Sequence, residues 1–107
     1  MNSVSPLVCN MGVFTPTQRE SHLQKTTELI QSVQRVQEVE NGYEFKFANE
    51  SRLILQVAEF ISNERLCCPF LNFSLHIAPK RKPISLSLNG PIGTREFLRA
   101  ELNGAIP

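Results

Sequence analysis

Two adjacent thiols, Cys67 and Cys68, follow Glu64 by three and four residues and precede Pro69. On a helix, residues three and four apart share a face, so both sulfurs would stack over the Glu64 carboxylate. Thiolates hold soft ions or act as nucleophiles, and a carboxylate beside them can be an oxygen ligand or a proton acceptor. At about 100° per residue, Val57, Phe60, Ile61 and Glu64 share one side. The acid is thus placed near the middle of an apolar face. A carboxylate there is desolvated and must take a proton or find a partner. The candidates are a cation such as Arg19 or Arg95, backbone amides, or a metal shared with the thiols.

A matching anomaly lies earlier in the chain. Arg19 and His22 fall on the apolar side of a helix that begins at Thr15, and Cys9 lies just upstream. If the helix ends abut, Cys9, His22, Arg19, Glu64, Cys67 and Cys68 meet at one end of the core. A helix N-terminus there would favour a thiolate and lower its pKa. Simpler readings compete. Buried cysteine often serves as a small hydrophobe, and Cys9 taken alone reads that way. His22 alone reads as a polar edge residue and His76 as solvent-facing. The Lys80-Arg81-Lys82 run reads as a solvated turn that protects a sheet edge.

The elements that must position these residues are legible in outline. Residues 4–9 suggest a short strand, restricted by Pro6 to an edge or a strand start. Thr15, Pro16 and Gln18 form a capping box with proline in the first helical position. The stripe Leu23, Leu29, Ile30, Val33, Val36 then predicts a helix to about Glu38, broken by Asn41-Gly42. Tyr43, Phe45 and Phe47 alternate with polar neighbours as in a half-buried strand. A second helix is predicted from Ser51 to Leu66, with Leu53, Ile54, Val57, Ala58, Phe60 and Ile61 inward and Pro69 stopping it. Two further strands, around Leu71–Ile77 and Ile84–Leu88, flank a loop at Pro79–Pro83, and a last helix spans about Thr94–Asn103. The expected order is (β)αβαββα. The fold class is α+β, with a three- or four-stranded, mainly antiparallel sheet and helices packed on one face. The other, polar face is left for solvent or for a second copy of the chain, as in a homodimer.

At 107 residues a single α+β domain over 1–107 is expected. The net charge of +1 offers no basic field for nucleic acid. No apolar run approaches the roughly 20 residues that cross a bilayer, and Met1 to Phe14 lack the pattern of a secretory signal. Three cysteines are too few, and odd in number, for a disulfide scaffold. Neighbouring cysteines do not bridge without strain, so reduced thiols in a cytoplasm are expected.

The run Glu64-Arg65-Leu66-Cys67-Cys68-Pro69-Phe70 resembles a group of small bacterial proteins that carry a Glu-Arg-x-Cys-Cys-Pro-Phe motif. The likeness extends to Cys9 and the helix start, to Asn41-Gly42-Tyr43, and to the tail from Leu88-Asn89-Gly90-Pro91 through Phe97-Leu98, covering most of the chain. The chain departs from the pattern by inserting Asn10-Met11-Gly12-Val13 before the helix. The group brings no settled activity. The resemblance implies only that Cys9, Glu64, Cys67 and Cys68 act as a unit.

Three functions follow as expectations. A soft metal or metalloid ion, zinc or another thiophilic ion, would be held by Cys9, Cys67 and Cys68 with His22 or Glu64. The paired Cys-x-x-Cys spacing of ordinary zinc modules is absent, which weighs against zinc. Alternatively, Glu64 or His22 would activate Cys67 or Cys68 in a redox or sulfur-transfer enzyme, with Cys9 resolving the product. In the third reading the cysteines are core, Glu64 pairs with a buried arginine, and the domain is a dimeric interaction module. Binding is favoured over catalysis.

Overall fold

The computed structural model describes residues 7–103 and residue 106. The α+β class holds: three helices accompany a four-stranded antiparallel sheet in the order β1-β2-β4-β3. The elements are α1 (Pro16–Gln31), β1 (Arg35–Val39), β2 (Gly42–Phe47), α2 (Ser51–Cys67), β3 (Asn72–His76), β4 (Ile84–Asn89) and α3 (Thr94–Glu101). No helix among the described residues is long and apolar enough to cross a membrane.

Helix α1 starts as its capping box dictates. The Thr15 side chain accepts from the Gln18 N–H at 3.2 Å, and Gln18 Oε1 accepts from the Thr15 N–H at 2.9 Å. It ends at Gln31, seven residues short of the expected Glu38. The three-residue spacing of Ile30, Val33 and Val36 imitates a continuing helical stripe. Val36 instead pairs with Phe45 in a β1–β2 hairpin. β-branched residues favour the extended chain, and the exposed edge of β2 supplies the hydrogen-bond partners. Asn41 turns this hairpin in the left-handed region, at φ 53°, which asparagine tolerates better than most residues. At Gly42 a Cβ would run into the Leu88 carbonyl on β4, so the two central strands approach closely there.

Of the strand expected over residues 4–9, the described part, residues 7–9, is not extended into a sheet. Residues 4–6 lie outside the described residues, and 7–10 are irregular. The missing strand of the expected order is β1. A second correction concerns α1: Leu23 is exposed, and the inward stripe is His22 and Leu29 with Thr26 and Ile30 half-buried.

One face of the sheet carries the core. Tyr43 and Phe73 flank Leu88, Phe45 and Leu75 flank Leu86, and Phe47 faces Ile84. Leu53, Val57 and Phe60 of α2 and Leu98 of α3 join them in one cluster. Ala58, expected inward, is exposed. Lys46, Ser85 and Glu44 lie on the opposite face, where Lys46 Nζ donates to Ser85 Oγ at 2.6 Å and pairs with Glu44 at 3.6 Å. The loop joining β3 to β4 turns through Lys80 and Arg81, both at positive φ (64° and 56°) and both exposed.

Candidate functional site

The last turn of α2 sets the thiols over the acid as the spacing requires. The Cys68 N–H donates to the Glu64 carbonyl at 2.8 Å, so the helical bond pattern reaches Cys68. Cys67 Sγ lies 3.7 Å from Glu64 Oε1, Cys68 Sγ 3.3 Å from Glu64 Oε2, and the two sulfurs are 3.6 Å apart. Both cysteines are 1% exposed.

Cys9 is brought in by the segment before α1. The Asn10 N–H donates to the Cys67 carbonyl at 2.7 Å, capping an end of α2 that helical bonding leaves open. The Asn10 side chain accepts from the Gly12 N–H at 2.9 Å and starts a 3-10 turn over Met11–Val13. Residues 10–13 are therefore the bend that carries the chain from Cys9 to the start of α1. Cys9 itself is bonded to Cys68 in a disulfide, leaving Cys67 as the free thiol. This corrects the expectation of three reduced thiols. Counting cysteines could not reveal that the segment docks on α2 and delivers a sulfur from 59 residues away.

The partner of Glu64 is His22. Its Nε2 lies 2.8 Å from Glu64 Oε1, with side-chain exposures of 5% and 12%. The imidazole lies between Phe14 and Phe60, at ring-centroid distances of 5.4 and 6.0 Å. Neither expected arginine serves. Arg19 is exposed, and Arg95 donates to the Val39 carbonyl beside Glu38. His22 is therefore a buried constituent of the site, reaching the sulfurs through the carboxylate. It also lines a cleft of ≈ 510 Å³ between α1 and α2, with Ser21, Lys25, Glu59, Asn63 and Leu66.

The electrostatics oppose the expected activated thiolate. Cys67 ends α2 at the negative pole of the helix dipole rather than the positive one. Burial first, and then the Glu64 carboxylate, push its pKa from 9.0 up to about 12. Glu101, on the last turn of α3, feels the same field. Partial desolvation, though the residue as a whole is solvent-exposed, and repulsion from Glu64 hold its carboxyl above the usual range. The sequence reading missed Glu101. Its only signal is the four-residue step from Phe97, whose ring packs edge-on against Phe70 at 4.9 Å.

Alkylation should expose the buried thiol directly. At pH 8 a group with a pKa near 12 is ionised on the order of a thousandfold less than one near 9. Cys67 should react at least that much more slowly than an open cysteine, and its rate should still rise tenfold per pH unit past pH 10. A plateau near pH 9 would contradict the geometry. The linked stability has a definite sign. Between about pH 9 and 12 the unfolded chain loses this proton while the folded one keeps it. Stability from this group is complete below pH 9 and is lost as pH rises through that window.

Cys9, Glu64, Cys67 and Cys68 each present a donor atom, and the four atoms lie within 4.8 Å of one another, close enough to hold one metal ion. The Cys9–Cys68 pair, with a third sulfur alongside, is also compatible with redox chemistry. Comparison of the chain with family models, curated proteins and solved structures gives no match.

Proposed function

We propose that the reduced protein binds a soft metal or metalloid ion through Cys9, Cys67 and Cys68, with Glu64 as the oxygen donor and His22 orienting that carboxylate. The observation that carries this reading is the convergence of four donors within 4.8 Å at a buried helix end. Scale supports it. Donors at tetrahedral corners 2.3 Å from a zinc ion lie about 3.8 Å apart. The separations here are 3.6 Å between Cys67 and Cys68, 3.3 Å from Cys68 to Glu64, and 3.7 Å from Cys67 to Glu64. Cys9 and Cys68 must part, and reducing their bond releases them. The raised pKa of Cys67 fits a ligand more than a nucleophile: the ion must displace a proton, and without it the thiol stays quiet.

A redox reading is favoured by one observation, the disulfide with a free thiol 3.6 Å from one of its sulfurs. It is second because Cys67 is scarcely ionised at neutral pH and exchange requires a thiolate.

Elemental analysis after dialysis against Zn²⁺, and titration with arsenite, test the ion reading on oxidised and reduced protein. Reduced protein should retain about one equivalent of one of these ions, and oxidised protein should retain less than a tenth of that. Equal uptake by both forms, or none by the reduced form, would overturn it.

A further inference from the structure

The two sulfurs of the disulfide stand in unlike surroundings. Cys68 is 1% exposed, with Cys67 Sγ at 3.6 Å and a Glu64 carboxylate oxygen at 3.3 Å from its sulfur. An incoming thiolate would meet a wall of atoms there and the repulsion of the acid. Cys9 is only half-buried, and its neighbours Val8 and Asn10 are both exposed. Among the described residues, the backbone bond that ties the segment around it to α2 runs from the Asn10 N–H to the Cys67 carbonyl.

We propose that Cys9 is an S-thiolation site, the sulfur at which a low-molecular-weight thiol opens the Cys9–Cys68 disulfide. The thiolate of the small thiol attacks Cys9 Sγ. A sulfur–sulfur bond forms between them as the Cys9–Cys68 bond breaks. Cys68 keeps the bonding electron pair and takes up a proton equivalent to the one the small thiol lost. A second molecule of thiol attacks its own half of the mixed disulfide, leaves as the symmetrical small disulfide, and returns Cys9 as a thiol. Two small thiols are oxidised and one protein disulfide is reduced. The consequence, that this step completes the ion-binding set, rests on the function proposed above; the chemistry at Cys9 does not.

The test uses the oxidised wild-type chain and glutathione as the probe. Samples are quenched in acid at intervals, free thiols are blocked, and the chain is cleaved after Arg19 and Arg65. Cys9 then lies on one peptide and the Cys67–Cys68 pair on another. Mass spectrometry should find the early adduct on the Cys9 peptide in at least a tenfold excess. An adduct equal on both peptides, or mainly on the Cys67–Cys68 peptide, overturns the assignment. So does reduction that passes through no Cys9 adduct at any time. Zn²⁺ and arsenite uptake by the fully reduced protein is measured in parallel. A Cys9 adduct without uptake of either ion leaves the assignment standing and removes the proposed function. Uptake with the adduct on Cys68 does the reverse.

Discussion

Reducing the Cys9–Cys68 disulfide should lower the free energy of unfolding by about 4 kcal/mol. The bond closes a loop across a sequence separation of 59 residues, and the chain-entropy cost removed from the unfolded state by a loop that long is about 4 kcal/mol. A domain of this size has a total stability of roughly 5–15 kcal/mol, so the cross-link is a large share of it. Urea unfolding with and without a phosphine reductant measures the difference. Cys9→Ser isolates the cross-link, because Cys9 is half-buried and a hydroxyl is tolerated there. A loss below about 1 kcal/mol in both experiments would mean that the docked segment, rather than the bond, does the holding. An ion present at a thousand times its dissociation constant returns about 4.1 kcal/mol. A bound ion could therefore replace the disulfide as the tie between the segment and α2, with little net change in stability.

Cys67→Ser should weaken ion binding by the reduced protein by more than about a hundredfold. It replaces one of three soft donors with a hydroxyl, which is a poor ligand for a soft ion. The substitution spares the Cys9–Cys68 bond and changes little volume at a fully buried position, so circular dichroism should show an intact fold. His22→Ala should cost about 10–100-fold, the usual loss when a group that orients a ligand is removed, because His22 holds Glu64 at 2.8 Å. His76→Ala, on an exposed strand position, is the control and should change nothing. Competition against a chromophoric chelator reads all three. Should Cys67→Ser keep its affinity within threefold, the sulfur cluster is not the ligand set.

The extent to which the chain announced this arrangement differs from element to element. Helix α2 was legible almost to the residue because an apolar stripe, a following proline and an acid–thiol spacing all agree on one conformation. Strand β1 was not. Its valines continue the spacing of α1, and what separates helix from strand there is the pairing offered by β2, a non-local fact. Leu23 and His22 exchanged expected roles for a related reason. The composition of α1 leaves its inward direction undecided, and Phe14 and Phe60 create the pocket that the imidazole fills.

By itself the sequence determined that Glu64, Cys67 and Cys68 share one helix face, since that follows from the pitch of the helix. It also determined an α+β sheet with one apolar side, since the strands alternate with period two. Only the tertiary structure decided that Cys9 reaches Cys68, that His22 rather than an arginine meets Glu64, and that Cys67 is held as a thiol. Those outcomes depend on how distant segments dock and on how far water is shut out where they meet. Local spacing carries neither quantity.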